Sequence, residues 1–153
     1  MYFAHFFRGR QMRAYSEAYL EHVVETQGHL FLLVAEKYPD CDTENFINAY
    51  MTSKTRRYID ESQAYVNTMD EKEIWDFFLN TDGYQLQKGM SMQGFATDWI
   101  GEFYAYYQWY YNISSAKVIE LIPVSFLRQA YGGLHDLDLE LAVSKVGFAS
   151  SDV

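Results

Sequence analysis

The sequence predicts an all-α protein, a single compact bundle of about six to seven helices around a central aromatic-rich helix over residues 95–112. Three observations carry this reading. The chain has 153 residues, the size of one ordinary domain, and 49% of them are hydrophobic, enough to build a core. Apolar side chains recur at helical spacing through most of the chain. The breaks between these stretches hold cap and turn residues, and both prolines, Pro39 and Pro123, stand where helices stop or restart. No repeat or Pro/Gly/Ser-rich linker divides the chain. Residues 14–153 therefore read as one helical domain, preceded by an N-terminal arm, residues 1–13, whose order the sequence leaves open.

Taken in order, residues 15–37 place Tyr19, Leu20, Val23, Val24, Leu30, Phe31 and Val34 at helical spacing, with Glu17, Glu21 and Glu25 stacked on another face. Pro39 ends this helix, because the residue before a proline is pushed out of helical geometry. Asp42 or Thr43 caps a second helix that buries Phe46, Ile47 and Tyr50. A weaker pattern over 55–66 suggests one short helix carrying Tyr58, Ile59 and Tyr65. Asp70 followed by Glu73 has capping-box spacing and opens a helix with Ile74, Trp75 and Phe78, which the turn residues 80–83 close. Residues 84–94 have no firm period and read as a loop able to move.

The segment 95–112 is the most informative. Asp98, Glu102, Ala105, Gln108 and Asn112 fall on one narrow polar or small stripe, and nearly every other position is aromatic or apolar, so neighbours must cover most of the helix. Buried tyrosine hydroxyls need partners, which predicts that several of these rings reach the surface at their tips. Asn112 can end the helix in a left-handed conformation, and Ser114 can cap the next, 115–122. A helix from 124 to 131 is expected to stop at Gly132-Gly133. Residues 137–143 alternate like a strand, yet Asp138 as an N-cap and Glu140 in the first turn favour helix.

Charge narrows the function classes. The formal charge is −9, from 12 basic and 21 acidic residues. Arg8, Arg10 and Arg13 sit in the arm, so the body carries nine basic residues against 21 acidic ones, a net of −12. Such a body opposes nucleic acid as a partner and would steer a basic one. A helix-turn-helix over 114–131 fails for the same reason, since Arg128 and Gln129 have no basic companions. The apolar residues 1–7 precede the arginines, the reverse of a secretory signal, and the longest uncharged stretch, 103–116, is too short for a membrane span. A single cysteine, Cys41, leaves no internal disulfide and points to a reducing cytoplasm.

No catalytic set emerges. His22, Glu25 and His29 share one side of the first helix but lack ligands from other elements, so neither a metal nor a cofactor is expected. Cys41 lies between Asp40 and Asp42, whose charges oppose a thiolate. Nucleophile elbows and phosphate-cradling glycine loops are absent from the sequence. The aromatic run could fill a core, meet a partner or line a pocket, and spacing alone does not separate these. Trp99, Tyr104, Tyr107, Gln108, Tyr111 and His135 are the candidate binding residues. The leading expectation is a non-enzymatic module that binds another protein, or itself, through exposed aromatics in an acidic surround. The alternative is a small-molecule binder or enzyme with a pocket between helix 95–112 and the 84–94 loop, using Glu102, Gln108 or His135.

Two stretches add a resemblance. Residues 46–55, ending Ser53-Lys54-Thr55, form one. Trp99-Ile100-Gly101, Tyr104-Ala105-Tyr106, Ile113-Ser114-Ser115, Ile122-Pro123, Tyr131 and His135 form the other. They resemble small uncharacterised all-helical bacterial proteins associated with toxin–antitoxin-like gene pairs. The resemblance implies an all-helical bacterial protein that works through protein contacts, and with the acidic body it suggests an antitoxin-like neutraliser of a basic partner. It rests on packing and capping residues and carries over no functional residue.

Overall fold

A computed structural model describes residues 13–148. Within them the chain forms nine α-helices: α1 (Leu20–Lys37), α2 (Thr43–Met51), α3 (Lys54–Asp60), α4 (Ala64–Asn67), α5 (Glu71–Asp82), α6 (Thr97–Tyr111), α7 (Ser115–Leu121), α8 (Val124–Leu134) and α9 (Leu139–Val146). All the described helices share one core, and the all-α single-domain architecture holds. Side-chain caps start several helices where the sequence places them. Asp42, Asp70, Ser114 and Asp138 each accept a backbone N–H from the first turn, and Asp70 with Glu73 completes the capping box. Of residues 137–143, 139–143 accordingly lie in a helix and not a strand. The arm residues 1–12 and the last five residues, 149–153, lie outside the described part.

The organising contact is α1 against α6. Gly28 and Gly101 face each other at the crossing, so closely that a Cβ on Gly101 would stand 2.7 Å from the Gln27 carbonyl oxygen and 3.0 Å from the Gly28 Cα. Two glycines thus let the helix backbones touch. On the far side of α1, Phe31 packs with Phe46 and Tyr50 of α2, and these meet Trp75 and Phe78 of α5 in an aromatic cluster with ring centroids 5.3–6.2 Å apart.

Helix α6 is covered on most of its circumference, as expected, and of its polar or small stripe Asp98, Glu102 and Asn112 are partly exposed. Ala105 and Gln108 are fully buried. Tyr104 and Tyr107 are fully buried, and their hydroxyls find the partners that buried tyrosines need. Their hydroxyls donate to the carbonyls of Ile122, at 2.6 Å, and Gly147, at 2.8 Å. Ile122 and Gly147 are the C-caps of α7 and α9. Carbonyls left free at helix ends therefore take the place of water. Tyr106, Tyr110 and Tyr111 remain partly exposed.

Further differences have local causes. The first helix begins at Leu20 after a short 3-10 turn, Glu17–Tyr19, capped by Ser16. The single helix expected over 55–66 is two, because Ser62 adopts φ 60 and breaks the run. Gly132 and Gly133 do not stop α8, which runs on to Leu134 with His135 still right-handed. The Tyr131 ring stacks on His135 at 4.3 Å and meets Trp99 at 5.4 Å, which holds this last turn against the glycine penalty. The 84–94 loop is tied down. Cys41 and Lys88 form an antiparallel bridge, the Ser91 hydroxyl donates to Ala35 O, and the Met92 N–H donates to the Thr43 hydroxyl.

Candidate functional site

A groove of ≈ 590 Å³ runs beside the α1–α6 crossing and reaches α9. Helix spacing builds it. Glu21 and Glu25 lie four apart on the exposed face of α1, with Leu20 and Val24 beside them, while Glu102 and Tyr106 lie four apart on α6, and Leu139 begins α9. The lining thus mixes apolar and aromatic side chains with three carboxylates. Neither lysine nor arginine lines the groove among the described residues. His22, also in the lining, is engaged through its Nε2, 2.8 Å from the Met69 carbonyl oxygen.

The electrostatics follow from this crowding. Burial raises the Glu102 carboxyl above its ordinary range, Asp98 and Glu25 push it further, and only His29 pulls back. Tyr106 is raised by burial and then by Glu140, Tyr110 and Asp138. Negative charge from α1, α6 and the start of α9 therefore converges on one concavity. Its chemistry is that of a receptor for a cation whose stem is apolar.

A second polar cleft, ≈ 570 Å³, lies where α3 meets α7, with Arg13, Arg57, Glu61, Ser62 and Ser114 around Asp60. Asp60 belongs to a buried network. Arg56, fully buried, donates from Nη1 to Asp60 Oδ1 at 2.9 Å, from Nε to Gln27 Oε1 at 3.0 Å, and from Nη2 to Gln108 Oε1. Gln108 Nε2 also donates to Asp60 Oδ1, and the Ser115 N–H to Asp60 Oδ2 at 2.9 Å. Burial raises the Asp60 carboxyl, while Arg56 and the Ser115 and Gln108 donors pull it down. The network joins α1, α3, α6 and α7, and its groups satisfy one another.

The six sequence-derived candidates do not form one site. Trp99, Tyr104, Tyr107 and Gln108 are buried and present no surface to a partner. Gln108 works inside the Arg56 network. Trp99 reaches the exposed His135 through Tyr131. Tyr111 is half-buried, packing on Tyr107 at 4.7 Å and on Phe148 at 5.4 Å. Large exposed apolar side chains, Tyr65, Met90, Phe126, Leu141 and Phe148, come from separate segments. Neither the groove nor the second cleft is lined by residues of the 84–94 loop.

Sequence reasoning missed Arg56, Asp60 and the acidic groove as a unit. One signal was available: Gln27 sits on the buried stripe of α1 between Val23 and Phe31, a polar residue where an apolar one is expected. Among the described residues no group of three or more His, Cys, Asp or Glu could hold a metal, and no helix is long and apolar enough to cross a membrane. No family model matches this chain, and neither a curated protein nor a solved structure shows detectable similarity to it.

Proposed function

We propose that this chain is a non-enzymatic interaction module that takes a basic segment of a partner protein into the groove between α1, α6 and α9, as an antitoxin would neutralise a basic toxin. The observation that carries this reading is the groove's composition, with Glu21, Glu25 and Glu102 beside Leu20, Val24, Tyr106 and Leu139. A lysine or arginine lays its methylene stem on the apolar side chains and its head among the carboxylates, and Tyr106 adds a ring face for the cation. The overall charge of −9 steers such a partner in and turns phosphate backbones away. A lone free cysteine, Cys41, suits work in a reducing cytoplasm.

The test is a titration of the labelled protein with a short lysine- and arginine-rich peptide, followed by amide shifts and calorimetry. Shifts should concentrate at Glu21, Glu25, Glu102 and Tyr106, and E21Q/E25Q should weaken binding by up to about tenfold, the sum of two partly screened ion pairs. Shifts spread evenly over the acidic surface, or affinity indifferent to the double substitution, would refute the reading. One observation favours a second reading. At ≈ 590 Å³ the groove falls within the roughly 300–1,000 Å³ of small-molecule sites and borders the aromatic helix. A thermal-shift screen of small cationic amines distinguishes it, because a specific ligand raises the melting temperature by mass action.

A further inference from the structure

We infer that a single ordered water binds in a small cavity between α1 and α4 and ties the four-residue helix α4 to the bundle. Thr26 of α1, Tyr50 of α2, Ile59 of α3, Val66 and Asn67 of α4 and Ile74 of α5 line this cavity, which leaves the centre of a water molecule ≈ 10 Å³. That is room for one water and for nothing larger.

Asn67 supplies the first anchor. It is 2% exposed, and its Nδ2 donates to the carbonyls of Ile59, at 3.2 Å, and Gln63, at 3.0 Å. Two carbonyl acceptors fix which end of the amide is nitrogen, so the other end is the oxygen. That Oδ1 is buried and has no hydrogen-bond partner among the described residues. A buried amide oxygen left unpaired is unfavourable, and a water that donates to it removes the penalty.

Thr26 supplies the second anchor. His22 Nε2 stands 2.8 Å from the Met69 carbonyl oxygen, a contact that requires the proton on Nε2. The Thr26 hydroxyl, 3.3 Å from the same nitrogen, can then only share that proton as an acceptor. Its own proton is left to donate. A water between the two accepts from Thr26 and donates to Asn67 Oδ1, while Val66, Ile59 and Ile74 close the apolar walls. The ligand is neutral, because neither a carboxylate nor a lysine or arginine lines the cavity.

Water-selective NOE and ROE spectra of the native chain test this. Cross-peaks of opposite sign in the two spectra should join water to the Val66 methyls and the Asn67 side-chain amide, the mark of a bound water. Tyr50→Phe should keep them, which excludes relay through the tyrosine hydroxyl. Thr26→Val, equal in shape, should lose the Val66 peak. Absence of cross-peaks in the native chain would overturn the proposal, as would their full persistence in T26V. A crystal structure showing no density within about 3.2 Å of Asn67 Oδ1 would overturn it independently.

Discussion

Arg56 shows how one residue can hold three helices to a common geometry. Its guanidinium reaches Asp60 on its own helix, Gln27 on α1 and Gln108 on α6 without contacting solvent, and Asp60 in turn accepts the Ser115 N–H of α7. Removing the cation strands a buried carboxylate, so Arg56→Met should lower unfolding stability by about 3–5 kcal/mol in urea titrations. The double variant R56M/D60L should recover part of that loss, since no charge is then left uncompensated. A loss near zero for R56M would mean the network is incidental to stability. Glu102 makes the opposite kind of prediction. Its carboxyl is raised above the ordinary 4.5 by burial, with Asp98 and Glu25 adding to it. A raised acid binds its proton more tightly in the folded than in the unfolded state, so its stabilising contribution is complete below about 4.5 and is lost as pH climbs through the folded value. Glu102→Gln mimics the protonated form at every pH. It should melt higher than the native chain at pH 7 and show no advantage below the ordinary carboxylate range, a crossover that melting curves across pH would read directly.

At the scale of elements, the glycines separate two roles that composition treats alike. At the α1–α6 crossing a methyl on Gly101 would run into the Gln27 carbonyl and the Gly28 Cα, which are backbone atoms with nowhere to turn. Gly101→Ala should therefore cost about 1–3 kcal/mol or more, because the two longest helices would have to separate. Gly132, within α8, has nothing within 4 Å of an added Cβ and a right-handed helical neighbourhood. Gly132→Ala should instead stabilise by about 0.5–1 kcal/mol, the ordinary helix-propensity gain. Opposite signs from identical substitutions, read by chemical denaturation, check the assignment of both helices. The two glycines are indistinguishable in sequence except that one sits within the aromatic helix and one near a helix end. The expectation that Gly132-Gly133 ends α8 weighed backbone propensity alone, whereas Tyr131 stacks on His135 across the glycines and Trp99 packs on Tyr131 from α6.

At the scale of the whole molecule, one core connects every major helix, and the three tryptophans sample it at separate places. Trp75 lies in the α2–α5 aromatic cluster, Trp99 beside Tyr131, and Trp109 beside Tyr106. Unfolding should therefore be cooperative, with tryptophan fluorescence and far-ultraviolet dichroism giving one coincident transition in urea. Separate midpoints would divide the domain. The same packing converts separately placed glutamates into a groove, because the α1–α6 crossing sets Glu25 near Glu102 and Leu139 of α9 joins the lining.

Helix positions, caps and the near-complete covering of 97–111 follow from sequence because they depend on periodicity and on residues a few positions apart: Asp42, Asp70, Ser114 and Asp138 cap their own helices wherever those helices pack. The fate of polar groups on buried faces does not follow, because it depends on distant chain segments. Gln108 reads only as part of a polar stripe until Arg56 and Asp60 arrive beside it, and the partner of the Tyr104 hydroxyl stays open until the Ile122 carbonyl receives it. A buried hydrogen bond needs a partner at about 3 Å, and only tertiary structure brings residues 18 to 52 positions apart to that distance.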